Sequence, residues 1–136
     1  MKKSSLVLGL LAILLFAYDL AIAVDRQFSV FVGVPIKNEL TDTVKNISTR
    51  ELQKLPDIKL ADELSHENGQ YVISIVAVPF KPPNHLAAGV VLSYVFQDGG
   101  QVVHGVLTGS FDDLEKLSEL VVSIFDVSVL EPDRHK

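Results

Sequence analysis

The spacing of apolar residues changes from the period of a strand to that of a helix and back, which limits the folds open to this chain. Apolar residues alternate over 28–34, as in a strand, and Pro35 follows. Over 38–55 they recur at helical spacing, with Asn38 as the predicted N-cap and Pro56 as the stop. The predicted buried stripe of this helix consists of Leu40, Val44, Ile47, Leu52 and Leu55.

Further strand signals follow this helix. A short strand is predicted at 58–60, and the nearly continuous apolar run 71–78 is typical of a central strand buried on both faces. Pro79 is expected to end that strand. A hairpin over 89–107, with Asp98-Gly99-Gly100 at its turn, completes the predicted sheet.

A second helix closes the predicted fold. Asp112 is expected to cap it, with Glu115 three residues later, and Glu131-Pro132 is expected to end it. Its apolar stripe consists of Leu114, Leu117, Leu120, Val121, Ile124 and Val127. The fold class that follows is α+β: a two-layer sandwich in which a mixed, mostly antiparallel sheet of four or five strands carries two helices on one face.

Residues 1–23 have the pattern of a secretory signal peptide. Two lysines precede the uncharged core 6–18, and Ala21-Ile22-Ala23 fits cleavage after Ala23. The alternative is an uncleaved anchor, but 13 helical residues span only about 20 Å of a hydrocarbon core of about 30 Å. We therefore predict a periplasmic or secreted protein.

Composition narrows the function classes. The formal net charge is −5, and an acidic surface disfavours nucleic-acid binding. There is no cysteine, which excludes disulfides, zinc–thiolate sites and thiol nucleophiles. After the leader, we predict a single α+β domain over 24–132, without a membrane span, and a flexible tail at 133–136.

No catalytic constellation stands out in the sequence. Asp112-Asp113 resembles a carboxylate pair, but acidic residues are also stabilised at a helix N-terminus. Ser110 lacks the second flanking glycine of a nucleophile elbow. His66, His104 and His135 are interpreted as residues of a turn, a solvent-facing strand position and the tail. We predict no catalytic residue, no metal and no cofactor.

The connection 79–88 is the most distinctive surface segment. It is longer than a hairpin needs, and its prolines stiffen it. Phe80, Lys81, Asn84 and His85 are the candidate partner-binding residues, because they offer an apolar anchor, a positive charge and adaptable hydrogen bonds. In the alternative, Phe80 packs under the sheet edge and the prolines form a rigid turn.

Three sequence segments resemble domains of the bacterial cell envelope. A first strand containing 31–35 leads to a helix that ends in the pattern of 50–55, and a strand like 71–75 follows. Over 28–130 the chain resembles the amino-terminal domain of TolB-type proteins and the periplasmic domain of CsgG-type secretion lipoproteins. It departs from them in that their second helix is missing or reduced to 61–65, and it has no lipid-anchoring cysteine. The resemblance implies a non-catalytic adaptor in envelope assembly or secretion.

The leading hypothesis is thus an exported, non-enzymatic binding or adaptor module that contacts another envelope protein. The alternative is a binder of a small apolar or carbohydrate ligand in a groove between helix and sheet, and a hydrolase ranks third. The partner and the oligomeric state are left open. If Ile47 and Leu117 are buried as predicted, changing either to alanine costs about 2–5 kcal/mol.

Overall fold

A mixed sheet and a layer of helices make up the part of the chain that the computed structural model describes, residues 27–65, 69–80, 83 and 89–136. In chain order the elements are β1 (Phe28–Gly33), α1 (Thr41–Leu52), β2 (Ile58–Ala61), β3 (Gln70–Phe80), β4 (Gly89–Asp98), β5 (Gln101–Ser110), a 3₁₀ turn (Phe111–Asp113), α2 (Leu114–Phe125), a π-helical turn (Asp126–Leu130) and α3 (Glu131–Arg134).

The five strands form one sheet in the order β2-β1-β3-β4-β5. β1 runs parallel to β2 and β3, whereas β3 pairs with β4, and β4 with β5, in antiparallel register. The antiparallel pairs are the longer ones, with ten paired positions each against four and five for the parallel pairs. The predicted fold class, with two helices on one face of a mixed sheet, is confirmed.

The core lies between the sheet and the helices because alternate strand residues face the same side. The buried strand residues are Phe28, Val30, Val32, Ile73, Ile75, Ala77, Val90, Leu92, Tyr94 and Phe96. Phe125 of α2 joins the layers: its ring centroid lies 5.2 Å from that of Phe96 and 6.2 Å from that of Tyr71. Such edge-to-face pairs fix the position of α2 over the sheet.

The first helix buries Leu40, Val44 and Leu52 of the predicted stripe, but Ser48 takes the place of Ile47. Val44, Ser48 and Leu52 are buried, each four residues from the next, whereas Ile47 is only half-buried. The sequence pattern favoured Ile47 because it is apolar, but the helix turns the smaller Ser48 toward the core. Ser48 is fully buried, and its hydroxyl has no hydrogen-bond partner among the described residues.

The first helix also begins and ends inside its predicted bounds. It starts at Thr41, because Asn38 forms a turn before the helix in which its Oδ1 accepts a hydrogen bond from the Leu40 N–H at 2.9 Å. The same Asn38 side chain donates from Nδ2 to the Ala77 carbonyl at 2.6 Å. The helix ends at Leu52 and a turn follows.

β3 continues through Pro79 to Phe80, so the expectation that Pro79 ends the strand is wrong. β1 pairs with β3 only as far as Ser74. The Ala77 carbonyl points to the vacated side, where Asn38 binds it. Pro79, two residues on, points the same way, so its missing N–H costs no ladder hydrogen bond.

The second helical region starts earlier and ends later than predicted. Its cap involves Ser110, whose hydroxyl donates to Asp113 Oδ2 at 2.6 Å, rather than Asp112 and Glu115. Pro132 does not end it, because the π-helical turn places Pro132 in the first turn of α3, where a missing N–H is tolerated.

The last residues, which the sequence predicts as a flexible tail from Asp133, are held by side-chain contacts. The Tyr71 hydroxyl donates to Asp133 Oδ2 at 2.6 Å, and Arg134 contacts Asp57 at 2.6 Å. These contacts anchor the chain end to the covered side of the sheet. The proposed signal peptide, residues 1–23, lies outside the described residues. Within the described ranges, no helix is long and apolar enough to cross a membrane.

Candidate binding surface

The sheet face away from the helices carries no formal charge over four strands. We call it the open face and define it by the residues of β1, β3, β4 and β5 that alternate with the core. They are Ser29, Phe31, Gly33, Gln70, Val72, Ser74, Val76, Val78, Phe80, Gly89, Val91, Ser93, Val95, Gln97, Val102, His104, Val106, Thr108 and Ser110. Exposed faces of antiparallel sheets are ordinarily polar. The open face departs from this pattern in that it lacks charge and carries exposed valines.

Valine is the commonest residue of the open face, at seven of its nineteen positions, and these valines are only partly covered, while eight positions carry polar side chains. Val102 and Val106 are 62% and 61% exposed, and Val78 is 44% exposed. Val72 and Val76 of β3 are half-buried by their neighbours. The expectation that 71–78 is buried on both faces is thus wrong, because both helices pack on the same side of β3.

The two edges of the sheet differ in their protection. β2 is an edge of four residues that carries the exposed Lys59. β5 is an edge of ten residues without proline or formal charge, in uninterrupted register with β4. Natural edge strands are protected by shortness, lysine, proline or bulges. β5 has none of these features and is a second candidate contact surface.

Phe80 lies at one corner of the open face rather than in a loop. It is the last residue of β3, pairs with Gly89 and is 43% exposed. A Cβ on Gly89 would lie 2.5 Å from atoms of the Phe80 ring, so the glycine makes room for the ring across the strands. Lys81, Asn84 and His85 lie outside the described residues, and their role in partner binding stays a prediction.

A group of ion pairs joins the C-terminal helical region to the turn before β2. Arg134 donates to both carboxylate oxygens of Asp57, at 2.6 and 3.0 Å, and also contacts Asp126 and Glu131. These hydrogen bonds lower the pKa of Asp57, and the same contacts raise the pKa of Arg134. At the start of α2, the Ser110 hydroxyl likewise lowers the pKa of Asp113.

The structure describes a small groove beside α1 and a larger cleft beside the β4–β5 turn. A groove of about 150 Å³ lies between α1 and the β2 edge, below the roughly 300 Å³ at which small-molecule pockets begin. A cleft of about 480 Å³ lies beside the β4–β5 turn. Gln70, one of its polar residues, already bonds the Ser65 N–H and the Glu63 carbonyl.

Titratable groups do not gather into a reactive site in the described ranges. His104 is an exposed residue of the open face, as its strand position predicts, and His135 contacts Glu131 at 3.1 Å. His66 lies outside the described residues. No cluster of three metal-ligating side chains occurs among the residues that the structure describes.

One sequence signal for the open face was present and was interpreted differently. The alternation that predicts each strand also assigns the remaining valines to a second face. The two predicted helices can cover only one face of the sheet, so no predicted element was left to cover the valines of the other face. The β5 edge needed the strand order as well, which no spacing along the chain supplies.

Comparisons with known proteins give fold-level similarity at low identity. No family model and no curated protein matches the chain. Among solved structures it is similar to the PelC dodecamer from Paraburkholderia phytofirmans, with 17% identity, a TM-score of 0.47 and coverage of 74% of this chain and 87% of that chain. A point variant of that PelC gives 16% identity, a TM-score of 0.46 and coverage of 74% and 84%. An uncharacterized protein gives 12% identity, a TM-score of 0.43 and coverage of 80% and 94%. Similarity at this level carries no argument about function.

Proposed function

We propose that the protein is an exported, non-catalytic binding module of the bacterial cell envelope, and that its open face binds an uncharged, apolar surface of another envelope protein. The observation that carries this proposal is the absence of Asp, Glu, Lys and Arg from the open-face positions of β1, β3, β4 and β5. The whole chain has 21% charged residues. A charged partner surface would lose its hydration here without gaining an ion pair.

In the alternative function, a small ligand would bind in a groove between helix and sheet. The groove described there is too small for most ligands, and the core fills the rest of that layer. A flat, valine-rich face instead matches the apolar centre of a protein interface. The geometry therefore supports binding to a protein more than binding to a small molecule.

Site-specific photo-crosslinking in the native envelope tests this proposal. A photoreactive amino acid at Val78, which is 44% exposed on the open face, should give adducts with a distinct envelope protein. The same probe at the exposed Lys116 of α2 should give none. Adducts that form equally from both positions would contradict the proposal.

A charge placed on the open face provides the matched variant. Ser93→Lys introduces an ammonium group among the valines, and we expect it to abolish the Val78 adducts without lowering the melting temperature. Ser123→Lys makes the same change at an exposed position of α2 and should leave the adducts intact. Persistence of the adducts in Ser93→Lys would place the binding surface elsewhere.

Export rests on the leader pattern of residues 1–23 and has its own test. The intact mass of the protein recovered from the envelope fraction should correspond to a chain that begins at Val24. A mass that includes residues 1–23 would instead indicate a retained anchor.

A further inference from the structure

We infer that the β5 edge joins two copies of this chain in an antiparallel, two-fold symmetric dimer. This inference goes beyond the proposed function, because it uses the edge of the sheet rather than the open face. β5 occupies one end of the strand order. In a strand paired on one side only, the backbone N–H and C=O groups of every second residue point away from the sheet.

Charge favours a second copy over a charged partner. No charged residue lies between Asp98 and Asp112, so the whole of β5 is free of formal charge in a chain of net charge −5. Two acidic proteins repel each other over most of their surfaces. Along β5 this repulsion is weak, so two copies can approach through this edge at low electrostatic cost.

Side-chain sizes select one register for the pair. A two-fold axis perpendicular to the sheet pairs residues that lie on the same face. When this axis passes at Val106, residues 102–110 of one copy run antiparallel to residues 102–110 of the other. On the helix side, Gly105 then faces Leu107 of the second copy, and Gly109 faces its Val103. Each glycine therefore lies opposite a larger apolar residue.

The second helix presents an apolar surface beside the same edge. We call it the side wall and define it by Leu117, Leu120 and Ile124. Arg50 of α1 contacts Glu115 at 2.7 Å and Glu119 at 3.4 Å, which identifies the side of α2 that faces α1. At 3.6 residues per turn, Leu117 and Ile124 lie on the opposite side of the helix, beyond β5. A Cβ on Gly109 of β5 would lie 3.1 Å from Leu117 Cδ1, so Leu117 packs over β5, the last strand of the sheet.

This side wall is partly exposed in a single copy, since Leu117 and Ile124 are half-buried against the core. Leu120, next to Leu117 and Ile124 on the helix surface, is 45% exposed. Because α2 packs over β4 and β5 and strands lie about 4.8 Å apart, the two α2 helices of the dimer would be about 10 Å apart. Helices pack against each other at about 8–10 Å. Strand pairing along β5 thus brings the two apolar side walls into contact.

The area matches a small specific interface. Nine paired residues at about 3.4 Å each give an edge about 30 Å long, and the sheet and helix layers together present about 500 Å² on each copy. The total of about 1,000 Å² reaches the lower range of specific interfaces. The open faces of both copies would also form one continuous surface.

The cysteine-free chain allows a direct test with single thiols. Directly opposite residues of an antiparallel pair have Cα atoms about 4.5–5.5 Å apart, within the range of a disulfide. The full chain carrying Val106→Cys is treated with a mild oxidant in the native envelope. We expect a disulfide-linked dimer on non-reducing gels, because Val106 of one copy lies directly opposite Val106 of the other.

Controls separate this dimer from other contacts. Val102→Cys alone and Ser110→Cys alone should give no dimer. In this register, each residue lies about 27 Å from the same residue of the second copy. Coexpression of these two variants should give a mixed dimer, because Val102 faces Ser110 of the other copy. Val78→Cys, on the open face away from the edge, should also give none.

Two results would overturn the inference. One is a folded Val106→Cys protein that stays monomeric after oxidation. The other is cross-linking of Val78→Cys as strong as that of Val106→Cys, which would indicate stacking of two open faces. The first result leaves the photo-adducts of Val78 with a distinct envelope protein unaffected, so it separates the inference from the proposed function. The second would place a copy of this chain on the open face and would therefore count against the proposed function as well.

Discussion

The two faces of the sheet carry similar side chains and have opposite surroundings. On β4, Val90 is fully buried under the helices, whereas Val91 lies on the open face and is half-buried. The same contrast holds for Ile75 and Val76 on β3. Side-chain chemistry alone therefore does not decide burial here. The position of the helix layer decides it, and the uncovered face keeps an apolar surface that water covers poorly.

The largest expected effect concerns the helix that covers the inner face. Leu52 is fully buried in α1, so Leu52→Ala should lower the free energy of unfolding by about 2–5 kcal/mol. Ile47→Ala should cost about 1 kcal/mol or less, because Ile47 is only half-buried. Urea unfolding of both variants measures the difference. Equal losses would mean that Ile47 is as buried as Leu52, as the sequence pattern predicts.

Adjacent valines of one strand give the most direct comparison of the faces. Val90→Ala removes a fully buried side chain and should cost about 2–3 kcal/mol. Val91→Ala on the open face should cost about 1 kcal/mol or less. Thermal or urea unfolding of the isolated protein distinguishes them. A cost at Val91 as large as that at Val90 would show that the open face is covered in the isolated protein.

Acid should weaken the ion pair that closes the covered side. The pKa of Asp57 is lowered by Arg134, so its stabilising contribution is present above the unfolded pKa and is lost as the pH falls through the folded pKa. Asp57→Asn should lower stability by about 1–2 kcal/mol at about pH 7. The difference from the wild type should shrink as the pH falls below the ordinary pKa of an Asp side chain, measured by urea unfolding across the pH range. A difference that persists in acid would contradict this assignment.

The smallest expected effect distinguishes the two buried serines of the helix layer. The Ser118 hydroxyl donates to the Leu114 carbonyl at 2.8 Å, whereas the Ser48 hydroxyl has no partner among the described residues. Ser48→Ala should raise stability by up to about 1 kcal/mol, because it removes an unsatisfied buried hydroxyl. Ser118→Ala should change stability less. A loss in Ser48→Ala on urea unfolding would reveal a bond that the hydroxyl makes.

Much of the fold could be predicted because local periodicity determines element type. The alternation over 28–34 and the turn at Asp98-Gly99-Gly100 predicted β1 and the β4–β5 hairpin, and both are confirmed. The bounds at Pro79 and Pro132 were wrong because a proline ends an element only where its missing N–H breaks a bond. That condition depends on neighbours distant in sequence, such as the end of β1.

The open face and the β5 edge were less predictable from the sequence, because they too depend on neighbours distant in sequence. Val102 and Val106 have the sequence pattern of core residues, and only the strand order shows that they lie on an uncovered face at the sheet edge. Phe80 was identified from its proline-rich surroundings, yet its observed position depends on pairing with Gly89. Whether a strand lies at an edge is a property of the assembled sheet.

The length of the β4–β5 hairpin affects the order in which the chain folds. A two-residue turn at Gly99-Gly100 joins ten paired positions, and hairpins form within about 1–10 μs. Pairing of β1 with β3 must instead join Ser29 to Gln70, a much longer loop closure. We therefore expect the hairpin to exist before β1 and its helix are in place. In the folding chain, the unprotected strand is then available for intermolecular pairing before most of the core exists, so refolding yield should fall as protein concentration rises.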